Sequence, residues 1–306
     1  GRVRRCHGDL HLRNLVLIDG EPVPFDALEF DETLGACDVL YDLAFLLMDL
    51  DHRGLRAQAN RALGAWLLAA RGAEDAGLAA LPLFLSVRAA IRAMALLQTD
   101  AARGRAGASA AEIAAYLAEA CAALAPARPR LVATGGLSGT GKTALALALA
   151  LAPELGAAPG ALRLSSDEER KAAAGLAAAE RLPGEAYAAP ARGAVYDRLL
   201  ARAETVLRAG RSVVLDATFL DPARRTQARA LADRLGLPFA GLWLEAPAQV
   251  LEARVAARRG DASDADPGVL RAQLAAGGGG APDWRRVDAS GAPADTLARA
   301  REALEA

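Results

Sequence analysis

The chain has 306 residues, 53% of them hydrophobic and 24% charged, with 15 prolines and a formal net charge of −1 at pH 7. That length exceeds what one hydrophobic core ordinarily organises, so two domains are expected, and the apolar content excludes disorder. The near-zero net charge argues against a dedicated nucleic-acid binder, and Cys6, Cys37 and Cys121 are too few and too scattered for a disulfide framework or a thiolate metal site. No apolar run reaches the ~18 residues of a membrane helix; the longest, 144–152, ends at Pro153 and Glu154. With no signal-peptide pattern, a soluble cytoplasmic protein without a membrane partner is expected. Opening on Gly1 rather than Met, the sequence reads as a fragment.

Taken in chain order, residues 6–14 read as a loop, followed by an apolar run at 15–18, an Asp19-Gly20 turn and a returning strand at 23–25. After Asp38, Leu40, Leu43, Ala44, Leu47 and Leu50 recur at helical steps. Further helices are expected near 55–71, 78–99 and 109–124, and Pro126 and Pro129 then mark a linker. The expected boundaries are therefore a mostly helical domain over 1–126, a linker at 127–130 and a second domain over 131–306. In that second domain, strands at 131–134, 162–165, 213–216, 239–245 and 286–289 alternate with helices near 142–152, 167–174, 191–209, 222–236, 247–258, 267–276 and 293–305. Such alternation predicts an α/β fold, a parallel sheet covered by helices on both faces. Residues 277–280 read as a flexible glycine break.

Lysine plus arginine is 36, yet lysine stands only at Lys142 and Lys171. Where arginine has replaced lysine almost everywhere, a persisting lysine marks a place that needs a compact ammonium. Lys142 lies in Gly136-Leu-Ser138-Gly139-Thr140-Gly141-Lys142-Thr143, the phosphate-loop pattern G-x-x-x-x-G-K-[ST] between a strand and an apolar helix. The glycines let successive amide hydrogens turn inward onto phosphate oxygens, and the helix adds its positive dipole end. Lys142 would bridge the β- and γ-phosphates of ATP, and the Thr143 hydroxyl would ligate Mg²⁺.

Three other groups are placed around this cradle. Asp216 ends a strand, where ligands of α/β sheets bind, and could hold a magnesium-bound water or the substrate. Asp167 follows another strand and could accept a proton from an attacking hydroxyl; Ser166 and Glu169 around it also fit a helix-capping box. Arg254, Arg258 and Arg259 precede the irregular stretch 260–266, which suits a lid bringing guanidinium groups to developing phosphoryl charge.

Residues 130–306 resemble the phosphate-loop kinases of the zeta-toxin and polynucleotide-kinase type, on the strength of 136–143, Ser166-Asp167-x-x-Arg170, Asp216-Ala-Thr218 and the arginine-bearing lid. The resemblance implies that Asp167 is the general base and that Arg170 contacts the acceptor or its phosphate. His7-Gly-Asp9-Leu-His11-Leu-Arg-Asn14 resembles the catalytic loop of aminoglycoside phosphotransferases and other kinase-like enzymes, with the five-residue step from base to metal ligand. It implies Asp9 as base, Asn14 and Asp26 as magnesium ligands, and Asp38 and Asp42 as structural aspartates at a helix start. Ala27 stands where protein kinases have Phe-Gly, and the glycine-rich lobe of such kinases is expected upstream of Gly1. The whole resembles bacterial two-part proteins that join such a kinase domain, here its carboxyl lobe alone, to a phosphate-loop domain.

The expected activity is ATP-dependent phosphoryl transfer by the second half to a small hydroxylated acceptor, such as a sugar or nucleotide sugar, with the first lobe inactive here. A polynucleotide acceptor is disfavoured because no stretch interleaves basic and aromatic residues, and aromatics total 4%. The alternative is a nucleotide-gated regulatory ATPase, which needs the cradle and Asp216 but not Asp167.

Overall fold

The computed structural model describes residues 2–29, 35–125, 128–156, 158–176, 180, 182, 189–257, 265–276, 280 and 283–305. They fall into two compact units: Gly1–Ala65, Gly77–Ala127 and Ala157–Pro159 form one, and Trp66–Ala76, Arg128–Gly156 and Gly160–Ala306 the other. The segments 66–76 and 157–159 each belong with the half of the chain that sequence order did not assign them to.

In the first unit, β1 (Val3–Arg5) pairs antiparallel with β4 (Ala36–Asp38), aligning Val3 with Asp38 and Arg4 with Cys37. The hairpin of β2 (Leu15–Ile18) and β3 (Glu21–Pro24) turns at Asp19 and Gly20, whose φ values of 52° and 84° are those a two-residue primed turn requires. Asp38 caps α1 (Val39–His52) by accepting the Leu40 N–H at 2.8 Å. Next come α2 (Arg56–Ala69), α3 (Leu81–Ala102) and α4 (Ala110–Ala123). Leu40, Ala44 and Leu47 of α1 and Leu81, Leu85 and Ala89 of α3 are buried at helical steps, giving this unit its core. The helical stretch Asp75–Ala102 is long and apolar enough, by length and composition, to cross a bilayer. This corrects the expectation from the sequence, where Arg88 and Arg92 interrupt the run.

The second unit is a mixed α/β fold around a five-stranded sheet. Its strands are β5 (Leu131–Gly136), β6 (Leu162–Ser165), β7 (Val213–Asp216), β8 (Phe239–Glu245) and β9 (Arg285–Asp288). All neighbours are parallel, in the order β6-β7-β5-β8-β9. The register sets Thr134, Ser165 and Asp216 side by side at the carboxyl ends of three adjacent strands. The helices are α5 (Lys142–Ala150), α6 (Ser166–Ala173), α7 (Ala189–Arg208), α8 (Pro222–Leu235), α9 (Ala248–Ala257), α10 (Pro267–Ala275) and α11 (Pro293–Glu305). Leu145 and Leu149 of α5 and Ala300 and Leu304 of α11 pack with Val132, Val214, Leu242 and Val287 of the sheet. Glycine break residues 277–279 lie outside the described residues.

Gly135 and Gly241 leave room for the indoles of Trp243 and Trp284. A Cβ at Gly241 would sit 2.5 Å from the Trp284 ring, which is rigid and almost fully buried. Gly241→Ala is therefore expected to overpack the core and destabilise the second unit by about 1–3 kcal/mol, read from urea unfolding. An unchanged midpoint would mean that Trp284 shifts freely.

Candidate functional site

Residues 136–143 turn from the end of β5 into the first turn of α5. Gly136 and Gly139 have φ values of 132° and 86°, and a Cβ there would meet the carbonyl oxygens of Leu244 at 2.5 Å and Leu251 at 2.8 Å. Only glycine can hold this path. The Leu137 carbonyl accepts hydrogen bonds from the Thr140 hydroxyl and the Lys142 ammonium, each at 2.8 Å. Lys142 thus stands folded over its own loop.

The Thr143 hydroxyl lies near the carboxylate of Asp216 at the end of β7 and favours its charged form. Burial pushes the Asp216 carboxyl up, and the charges of Arg163 and Lys142 and the Thr143 hydroxyl oppose this only in part. Arg163, on β6, donates to Asp216 at 3.0 Å and also binds Glu168. Sequence reasoning missed Arg163, because one arginine among 34 in an apolar run carries no signal of its own. A hydroxyl and a carboxylate near each other at a phosphate loop are the oxygen donors that suit Mg²⁺, which keeps waters and takes its remaining ligands from phosphates. Thr143 and Asp216 fit such an ion, and among the described residues no group of three His, Cys, Asp or Glu side chains forms a self-sufficient metal site.

Asp167 lies in the first turn of α6 and is near enough to Asp216 for their charges to interact. Arg170 donates to it at 2.7 Å from one turn along. The capping-box reading does not hold: Ser165 is the N-cap, no side chain caps the helix, and Glu169 is bound by Arg202. For so polar a helix α6 is unusually buried, and its charges are paired in compensation. Arg202 of α7 binds Glu169 and also grips Asp75 through two bonds of 2.7 and 2.9 Å, all three residues belonging to the second unit. Tyr196, also on α7, braces the strand end, for its oxygen accepts the Phe219 N–H at 3.0 Å and lies 3.3 Å from the Thr218 hydroxyl. The Thr218 carbonyl in turn accepts the Gly136 N–H at 3.0 Å, tying the turn after β7 to the phosphate loop.

Arg254 is held at the carboxyl end of β9, beside the loop and apart from Asp167 and Arg170 in its bonding. It donates to the carbonyls of Ala289 at 2.7 Å and Gly291 at 2.9 Å, closing one wall of a cavity of about 180 Å³ beside Gly141, Ala144, Leu145 and Pro293. Arg258 and Arg259 lie outside the described residues, as does 260–264 of the expected lid. A larger cavity of about 680 Å³ is also bounded by Leu137 and Thr140, with Glu245, Arg286 and Asp288 in its lining.

In the first unit, the expected loop residues also meet. Asn14, buried, donates its amide to the Asp9 carboxylate at 3.1 Å, and His11 Nε2 lies 3.3 Å from it. The His11 hydrogen bond is the main reason the Asp9 carboxyl lies below the usual range. Asp42 accepts the His7 and Gly8 N–H groups at 3.0 and 2.8 Å, and Arg88 donates to the Gly8 carbonyl at 3.1 Å. Asp26 sits in the left-handed region, φ 60°, after β3.

The parallel sheet, the loop at 136–143 and the strand-end carboxylates give the second unit the features of a phosphate-loop domain. Residues 131–277 match the family model described as AAA domain. The chain is 32% identical over 294 residues to an uncharacterised protein of Mycobacterium tuberculosis (strain ATCC 25618 / H37Rv), covering 93% of this chain and 56% of that protein. A Mycobacterium bovis protein matches with the same figures, so the chain spans about half the length of the curated relatives it matches. Among solved structures it is similar to a sugar kinase of Janibacter sp. HTCC2649, at 25% identity and a TM-score of 0.41, over 58% of this chain and 95% of that one. It is also similar to the Mycobacterium tuberculosis APS kinase in complex with AMPPNP and APS, at 22% identity and a TM-score of 0.42, over 59% of this chain and 100% of that one.

Proposed function

We propose that the second unit binds Mg·ATP and transfers its γ-phosphoryl group to a small hydroxylated acceptor. The observation that carries this reading is the convergence, at the carboxyl ends of three adjacent strands, of the glycine-bearing loop, Thr143 near Asp216, and the Asp167–Arg170 pair. The base of ATP would occupy the cavity walled by Arg254, and the phosphates would lie along 136–143, where Lys142 swings from the Leu137 carbonyl onto them. Thr143 and Asp216 would hold magnesium, which when bound neutralises phosphate charge. Asp167 would take the acceptor hydroxyl proton, and Arg170, released from Asp167, would steady the transferred group. Arg258 is proposed as a lid residue on sequence grounds alone.

The test is a screen of hydroxylated metabolites with γ-labelled ATP. Label appearing in one sugar or nucleotide sugar supports transfer. ATP consumption without any acceptor that survives Asp167→Asn would instead mark a regulatory ATPase.

The kinase-like loop of the first unit is proposed not to supply this turnover, since both lysines of the chain and its phosphate loop belong to the second. Joint Asp9→Ala and Asp26→Ala substitution is expected to leave ATP consumption within about twofold, inside the range of substitutions remote from the chemistry. Loss of activity in that variant would move the chemistry to the first unit.

A further inference from the structure

One peptide group of the phosphate loop is gripped at both ends, and by different parts of the fold. The carbonyl of the Leu137–Ser138 peptide accepts from Thr140 Oγ1 and Lys142 Nζ, both inside the loop. Its N–H, on Ser138, donates at 2.9 Å to the side-chain oxygen of Gln273, which comes from α10, more than a hundred residues along the chain. Nothing in the loop motif asks for that partner. Packing brings α10 there: Leu270 is fully buried and Leu274 partly so against Leu137, Leu251 and Val255, and Asp266 caps the helix through the Val269 N–H at 2.9 Å.

The bond matters because of what flanks the peptide and what holds it. Gly136 and Gly139, both at positive φ, hinge the two-residue crown of the loop on either side, so the crown has little stiffness of its own. Lys142 helps pin the Leu137 carbonyl. Once phosphates draw the ammonium away, that restraint is lost when the loop amides must be held in register. The Gln273 bond is independent of Lys142 and remains.

We propose that Gln273 is a positioning residue for phosphate binding, fixing the Leu137–Ser138 peptide so that the loop stays open when Lys142 leaves it. This rests on the reading of 136–143 as a phosphate cradle. Gln273 acts through the loop and not through the base cavity, whose lining does not include it. Its loss is therefore felt by the phosphates and not by adenosine.

The experiment uses the full chain with Gln273→Met, which keeps length and helix propensity but removes the acceptor. Mg·ATP affinity is measured by calorimetry, adenosine affinity by competition, and stability by thermal unfolding. The variant is expected to bind Mg·ATP about two- to tenfold more weakly, the worth of one neutral hydrogen bond, with adenosine binding unchanged and a cooperative unfolding transition retained. Wild-type affinity for Mg·ATP in the variant overturns the proposal, as does a matching loss for adenosine, which would make Gln273 a packing residue only. A wild-type chain that binds no Mg·ATP removes the cradle reading itself, a separate failure.

Discussion

Lys142→Ala is expected to weaken Mg·ATP binding by on the order of a hundredfold, because charge-assisted hydrogen bonds to phosphate are worth about 1.5–3 kcal/mol. The fold should survive. The Lys142 ammonium bonds to a carbonyl of its own loop, whereas the core beneath α5 is built from Leu145 and Leu149. Lys142→Arg is the sharper variant. This chain uses arginine at 34 of its 36 basic positions, so a guanidinium is what the sequence supplies by default. Its planar fork is wider than an ammonium, and the site around the Leu137 carbonyl is closed by Thr140, which is almost fully buried. Lys142→Arg should therefore lose most of the affinity that Lys142→Ala loses, although charge is conserved. Calorimetric titration of both variants is the check. An arginine variant that binds as wild type would show that charge alone was needed, and an alanine variant that does so would remove the phosphate-loop assignment.

How much of this was legible depends on the range over which each signal acts. The phosphate loop could be read outright because its glycines, lysine and threonine are contiguous and flanked by an apolar strand and helix. The five parallel strands were found within a residue or two, since short apolar runs between helical patterns have few other folds. The three-residue strands β1 and β4 were missed: their partners stand 33 to 35 positions apart for Arg4–Cys37 and Val3–Asp38, and three residues show no periodicity. Asp75 shows the same limit at the level of domains. It sits in a helical region of the first half, yet Arg202 draws it into the second unit, and no local pattern records a buried partner 127 residues away. Gln273 and Tyr196 were invisible for a related reason. Neither is an unusual residue in its helix, and each acquires meaning only from the backbone group it meets in the folded chain.

Asp167→Asn is expected to keep Mg·ATP affinity within about threefold while lowering phosphoryl transfer by roughly 10²–10⁴, the usual cost of losing a general base. The amide has the shape of the carboxylate and still offers an oxygen to Arg170, now 2.7 Å away, but it takes no proton. The substitution also removes a negative charge near Asp216, which favours ionisation of that buried carboxyl, so weaker metal binding is not an expected side effect. Arg170→Met separates the two members of the pair. It removes the charge that would steady the transferred group but leaves the base, and so should reduce transfer by less than Asp167→Asn does. Rates are read with γ-labelled ATP and the acceptor found by screening, alongside nucleotide affinity by calorimetry. If Asp167→Asn transfers phosphate within about threefold of wild type, well inside the general-base range, Asp167 serves only to hold Arg170, and the proton acceptor must be sought elsewhere at the strand ends.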